Sequence, residues 1–122
     1  MLKSVNIWGR DFSLKVIFEA LKGEEILEAQ YKALDSFIEK SEVLLSDTKE
    51  IEKYCVEKSN GELVDPVDNI FKYVIPTRIY VMRETNTRKI ALLCNYKFDE
   101  ESGCALVFEN EKLTKICTQE EL

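Results

Sequence analysis

Along this 122-residue chain the spacing of apolar side chains changes period twice, and each change forces a change of secondary structure. Near the start, Val5 and Ile7, then Phe12, Leu14, Val16 and Phe18, recur at every second residue on either side of Gly9-Arg10-Asp11. Successive side chains of a strand point to opposite faces, so the pattern is that of a hairpin with one buried and one wet side. Ser13, Lys15 and Glu19 fall on the wet side. Trp8, beside the turn, is expected to close over the core.

Past Gly23 the period lengthens. Leu27, Tyr31, Leu34 and Ile38 recur at i, i+4, i+7 and i+11, the stripe of an amphipathic helix over about residues 24–40. Glu24, Glu25 and Glu28 in its first turns complement the helix dipole. A second helix is expected after Asp47, an N-cap with Glu50 three residues later; Ile51, Tyr54 and Cys55 form its apolar face and Asn60-Gly61 stops it. Asp65-Pro66 reads as the opening of a short third helix carrying Ile70, Phe71 and Val74 and ended by Pro76.

After Pro76 the period returns to two: Ile79 and Val81, a turn at Thr85-Asn86-Thr87, then Ile90, Leu92, Cys94, Tyr96 and Phe98. Strands over 104–108 and 113–117 follow, joined by the polar Glu109-Asn110-Glu111-Lys112. The expected fold is one α+β domain over residues 1–122. It has an N-terminal β-hairpin, two to three helices, then a four-stranded antiparallel meander, with the helices packed on one sheet face.

Composition narrows the chemistry. The chain has no histidine, which removes Ser-His-Asp and Cys-His nucleophiles, imidazole acid/base catalysis and most transition-metal sites. Cys55, Cys94, Cys104 and Cys117 are widely spaced, with no close ligand pairs, and read as reduced core residues. Gly9, Gly23, Gly61 and Gly103 are dispersed, so no phosphate-cradling loop exists and no cofactor is expected.

The formal charge of −6 is uneven. Residues 24–65 hold twelve acidic and five basic side chains, whereas 66–98 hold two and six. An acidic chain repels a phosphate backbone, so nucleic acid is a poor partner and a basic protein a suitable one. No apolar run approaches the roughly 20 residues a membrane span requires, and no leader-like segment opens the chain. A cytoplasmic protein without a membrane partner is expected.

Local clusters each have a sharp and a plain reading. Asp99, Glu100 and Glu101 can bind a cation, supply an acid/base pair, form a partner surface, or simply solvate a turn before Gly103. Arg78, Arg83, Arg88 and Lys89 flank the Thr85-Asn86-Thr87 turn and either guard an exposed strand edge or contact an acidic ligand. The five tyrosines are spread over different elements and do not form a base-stacking platform.

The segment Phe98-Asp99-Glu100-Glu101-Ser102-Gly103 resembles the hallmark of a family of small uncharacterised bacterial domains: an aromatic residue, Asp, any residue, Glu, His, Gly. The likeness extends, less specifically, through the helix containing Gln30, through Pro76, and through the Phe108 to Leu113 hairpin. Phe98 stands where tryptophan is usual and Ser102 where histidine is usual, so a role needing that imidazole is in doubt here. Families of this kind look like toxin-immunity or defence-associated proteins. The resemblance therefore implies a non-enzymatic protein that occludes a basic partner, a cognate toxin, with acidic groups on the helical layer or the turn of Asp99, Glu100 and Glu101 drawn to it. A structural adaptor, homo-oligomeric or otherwise, and a small carboxylate-dependent hydrolase remain the alternatives.

Overall fold

A two-residue loop sets the first hairpin. Strands β1 (Leu2–Ile7) and β2 (Arg10–Phe18) pair antiparallel from Leu2 opposite Lys15 to Ile7 opposite Arg10. Trp8 and Gly9 between them both take positive φ, 50° and 85°. That is the loop whose twist matches the twist of the flanking strands. Arg10 and Asp11, expected in the turn, already belong to the ladder.

In the computed structural model, which describes residues 1–122, the remaining elements are helices α1 (Glu28–Leu44) and α2 (Lys49–Lys58) and strands β3 (Val74–Val81), β4 (Lys89–Tyr96), β5 (Cys104–Glu109) and β6 (Lys112–Cys117). Single 3-10 turns lie at Ile70–Lys72 and Gln119–Glu121. No helix is long and apolar enough to cross a membrane.

The strands form one six-stranded mixed sheet in the order β1-β2-β3-β4-β5-β6. This corrects the expected architecture of a hairpin followed by a separate four-stranded antiparallel meander. The two parts are fused by a parallel pairing of β2 with β3, from Lys15 opposite Arg78 to Phe18 opposite Val81. A parallel pair needs a long crossover, and the helical segment between β2 and β3 is that crossover. The alternation in β2 shows which of its faces is buried but says nothing about what its second edge will meet.

The third helix is also corrected: the chain has two. Val74 already belongs to β3, leaving only Ile70–Lys72 as a turn, started by the Asn69 carboxamide accepting from the Phe71 N–H at 3.1 Å. Pro76 lies inside β3 beside a shift of register between Pro76 and Arg78, the kind of irregularity at which a residue without an N–H is tolerated. α1 starts at Glu28 rather than Glu24. Glu24 is used in a preceding turn, its carboxylate accepting from the Leu21 N–H at 2.7 Å.

Both helices cover one face of the sheet. Val5, Ile7, Leu14, Val16, Ile79, Val81, Ile90, Leu92, Leu106 and Phe108 turn toward Leu34, Phe37, Ile51 and Cys55 in the main core. Phe37 meets Phe108 edge-on at 5.2 Å. Trp8 is half-buried against Phe71, and its backbone N–H donates to the Leu45 carbonyl at 2.8 Å, tying the hairpin tip to the end of α1.

One polar side chain organises this layer. Gln30 is fully buried. Its Oε1 accepts from the Leu27 N–H at 2.9 Å, satisfying a donor at the start of α1. Its Nε2 donates to the carbonyls of Glu19 at 2.9 Å and Val81 at 3.2 Å, just beyond β2 and at the end of β3. A single carboxamide thus joins the first turn of the helix to both strands of the parallel pair.

A second tie lies at the same end of the strands, across the sheet at the β5–β6 turn. Asn110 and Glu111 (φ 50° and 61°) form the two-residue loop between β5 and β6. The Glu111 carboxylate, though in a loop, is largely buried and receives two hydrogen bonds from Arg88, at 2.8 and 3.1 Å, and one from Lys40 on α1 at 3.1 Å. The Arg88 guanidinium foremost, with Lys40, holds that carboxyl below the usual carboxylate range.

Gln30→Leu removes both donors and the acceptor while keeping the volume, and is expected to lower unfolding free energy by about 2–4 kcal/mol in urea titration. Gln30→Glu, which keeps only the acceptor, should also destabilise. Glu111 contributes stability that is complete above the ordinary carboxylate pKa and is lost as pH falls through its depressed folded value. Glu111→Gln should therefore flatten the acid limb of a melting-temperature profile; an unchanged limb would assign the acid response elsewhere.

Candidate functional site

The acidic turn after β4 is rigid for local reasons. Phe98 stacks on Tyr73 with ring centres 5.7 Å apart and an interplanar angle of 17°, and meets Tyr96 edge-on at 5.7 Å. Asp99 Oδ1 accepts from the Ser102 N–H at 3.1 Å, and the Asp99 carbonyl accepts from the Gly103 N–H at 2.8 Å. This is the short-range bonding by which aspartate stabilises turns.

Gly103 cannot be replaced without moving something. Its φ is +61°, and a Cβ there would lie 2.6 Å from the Cys94 carbonyl and 2.7 Å from Gln119 Nε2. The space is filled because Gln119 reaches in from the C-terminal turn, donating to the carbonyls of Cys94 at 3.0 Å and Cys104 at 3.5 Å. The Gln119 N–H donates to the Ser102 carbonyl at 3.2 Å. The 99–103 turn and the C-terminal turn are therefore one assembly.

This assembly gathers Asp99, Glu100, Glu101, Glu120 and Glu121 at one end of the sheet, and none of the five forms an ion pair. Glu121 Oε1 accepts from the Thr118 N–H and hydroxyl at 3.0 and 2.9 Å, which hold its carboxyl below the usual range. No group of three or more His, Cys, Asp or Glu side chains is arranged to hold a metal ion.

Between this end and the last turn of α2 lies a cleft of about 330 Å³, with Tyr54, Tyr96 and Phe98 as its aromatic lining and Lys58, Asp99 and Glu121 as its charged groups. Tyr54 and Tyr96 pack at 5.8 Å. Burial, then the charges of Cys104, Glu121, Cys117 and Asp99, push the Tyr54 phenol up to about 12. Burial likewise raises Tyr96, whose hydroxyl donates to the Cys55 carbonyl at 3.3 Å. Both phenols stay protonated at neutral pH and act as donors rather than bases.

The three residues singled out in the sequence do not converge on a point. Asp99 is half-buried in the cleft; Glu100 borders a separate groove of about 350 Å³ with Lys72 and Tyr73; Glu101 faces solvent. Sequence reasoning missed Tyr54, Gln119, Glu120 and Glu121 as their neighbours. The acidic ending of the chain was visible, but nothing local said where it would fold back.

The basic residues near 78–89 are corrected too. β3 and β4 are interior strands, so these charges guard no sheet edge. Arg83 donates to the Glu25 carbonyl at 2.8 Å and pairs with Glu24 at 3.5 Å, Arg88 holds Glu111, and Lys89 pairs with Glu109 at 3.7 Å. All four cysteines are free and buried, and burial raises the Cys55 thiol to about 12.

The sheet face opposite the helices is a second feature. Ala91, Leu93, Ala105, Val107 and Cys117 form a small cluster there, with Tyr80 and Met82 packed against it. A groove of about 520 Å³ crosses this face, lined by Ile17, Tyr80, Met82, Leu93 and Leu122 with Glu19, Glu84 and Lys89 among its polar groups.

Residues 2–122 match the family described as domain of unknown function (DUF6985). The chain belongs to that family. No curated protein and no solved structure matches it. The match covers both the acidic end and the crossover that positions Gln30, so the site described above lies wholly within the family domain.

Gly103→Ala, which sets a Cβ against a backbone carbonyl, is expected to destabilise by about 1–3 kcal/mol in urea titration. Pairing it with Gln119→Ala, which vacates part of the space, should add less than the sum of the two single effects. Strict additivity would separate the two turns.

Proposed function

We propose that this protein is a non-enzymatic binding module for a basic protein, and that the acidic end of the sheet is its contact surface. The observation that carries the reading is the gathering of five carboxylates without ion-pair partners on two turns locked together by Gln119. Acidic side chains elsewhere are either paired singly, as Glu111 with Arg88 and Glu24 with Arg83, or spread over separate elements, whereas these five share two turns that are bonded to each other. Carboxylates carried on turns that are already bonded together attract a cationic surface without the entropy cost of ordering a loop on contact.

The finer form of this reading is an immunity protein that blocks a toxin by occluding a cationic active-site cleft. It is supported by the likeness of the 98–103 segment to domains that look defence-associated, and by the net charge of −6. Long-range attraction of this kind acts mainly on the association rate and weakens with salt.

A specific observation favours a second reading, a structural adaptor that self-associates. The groove of Ile17, Tyr80, Met82, Leu93 and Leu122 crosses a sheet face on which no helix packs. Light scattering across a concentration series distinguishes the two: a dimer abolished by Met82→Glu would favour the adaptor.

Co-expression of the upstream neighbouring gene with and without this protein provides the functional test. Growth arrest relieved by the wild-type chain, and no longer relieved when Glu100, Glu101 and Glu120 are all changed to lysine, is the expected outcome. With the purified pair, association should slow as ionic strength rises from about 50 to 500 mM, while dissociation changes little. Salt-independent association, or full protection by the triple variant, would refute the acidic contact surface.

A further inference from the structure

The cleft between the last turn of α2 and the two acidic turns has a composition that points to one kind of occupant. Three aromatic side chains, Tyr54, Tyr96 and Phe98, line it, and the carboxylates of Asp99 and Glu121 are among its polar groups. Asp99 Oδ1 is engaged by the Ser102 N–H, while its second oxygen has no hydrogen-bond partner within the protein. Glu121 likewise uses only Oε1, on Thr118. Two fixed, half-used carboxylates beside aromatic faces make a receptor for a flat cation.

We propose that this cleft is a socket for a single arginine side chain of the basic partner, its guanidinium stacked on the aromatic wall and paired with Asp99. The inference rests on the protein-binding reading above and names the group that this surface would recognise.

Three features select arginine over other ligands. The guanidinium is planar, so it stacks on a ring while its edge donates to a carboxylate, which the compact ammonium of lysine cannot do. The electrostatic field in the cleft is negative, since its charged side chains are two carboxylates, Asp99 and Glu121, against one cation, Lys58. That field repels phosphate or carboxylate ligands. The cleft does contain one cation, Lys58, which helps hold Glu121 ionised but forms no ion pair. Glu121 already has that cation acting on it, so the incoming charge is assigned to Asp99, whose second oxygen is unengaged. The chain itself shows the same contact elsewhere, with the Arg10 guanidinium 4.2 Å above the Phe71 ring.

The probe is Nα-acetyl-L-argininamide, titrated into the isotope-labelled full chain and followed by NMR, with the citrulline analogue as a neutral control of nearly equal shape. The expected result is a set of shift changes confined to Tyr54, Phe98, Asp99 and their neighbours. They should be absent with citrulline and weakened about tenfold or more by Asp99→Asn, which removes a charge-assisted contact. The carboxamide that Asp99→Asn introduces can still accept from the Ser102 N–H, so the turn survives; a melting curve checks this, and Tyr54→Leu, which removes the stacking face, gives an independent loss. Citrulline binding as well as arginine, shifts mapping elsewhere, or no effect of either variant would overturn the socket.

The partner reading fails separately. A basic protein that binds wild type and Asp99→Asn equally would overturn the socket and leave protein binding standing. Arginine amide seated in the cleft, with no binding of the neighbouring gene's product, would uphold the socket and remove the protein partner proposed for it.

Discussion

Everything on the helical side of this protein depends on the buried carboxamide of Gln30. A parallel strand pair cannot be closed by a tight turn, so β2 and β3 meet only if the intervening chain returns to the right place. Gln30 fixes that return. It bonds the Glu19 and Val81 carbonyls on one side and the Leu27 N–H on the other. Were it apolar, the Leu27 N–H and the Glu19 carbonyl would lose their partners, at a cost of roughly 1–3 kcal/mol for each group left buried and unsatisfied, and the Val81 carbonyl would keep only the Glu19 N–H. The requirement is for one donor group and one acceptor group on the same side chain, which an amide meets and a carboxylate does not.

The far end of the sheet is assembled by the same device used once more. Gln119 inserts a carboxamide against the carbonyls of Cys94 and Cys104, and Gly103 leaves the room for it. Two amides, one at the crossover and one at the acidic end, thus supply donors to backbone carbonyls at or next to strand ends. The consequence for function is positional. Without Gln119 the carboxylates of the C-terminal turn would not stand beside those of the 99–103 turn, and the cleft holding Tyr54 and Asp99 would lose one side.

Charge is arranged in the same economical way. Two cations of the 66–98 segment, which look free in the sequence, are engaged at the surface: Arg83 secures the loop before α1, and Arg88 secures the β5–β6 turn. The anions of the 99–122 segment, Glu109 and Glu111 excepted, remain without ion-pair partners. A sheet end that collects carboxylates without ion pairs is polarised for encounter with a cation.

Hydrophobic period alone determined where most strands and both helices lie, because burial of one face is a local rule that every residue obeys in turn. The turn residues Gly9, Asn60-Gly61 and Asn110 were likewise legible, since glycine and asparagine enter positive φ more readily than other residues; Trp8 and Glu111, which share it, carry no such mark. The lack of histidine and of a glycine-rich loop narrowed the chemistry for the same reason: composition needs no fold. The fusion of hairpin and meander into one mixed sheet was not legible. Free strand edges offer the same N–H and C=O groups whatever their side chains, so β2 carries no mark of its partner. Asp65-Pro66 misled because a helix-opening pair is only a local permission, overridden when Val74 was drawn into β3. The candidate site divides along the same line. Asp99 and its turn were visible in six consecutive residues, whereas Tyr54, Gln119 and Glu121 join them only through the tertiary structure, which alone brings positions dozens of residues apart within hydrogen-bonding reach.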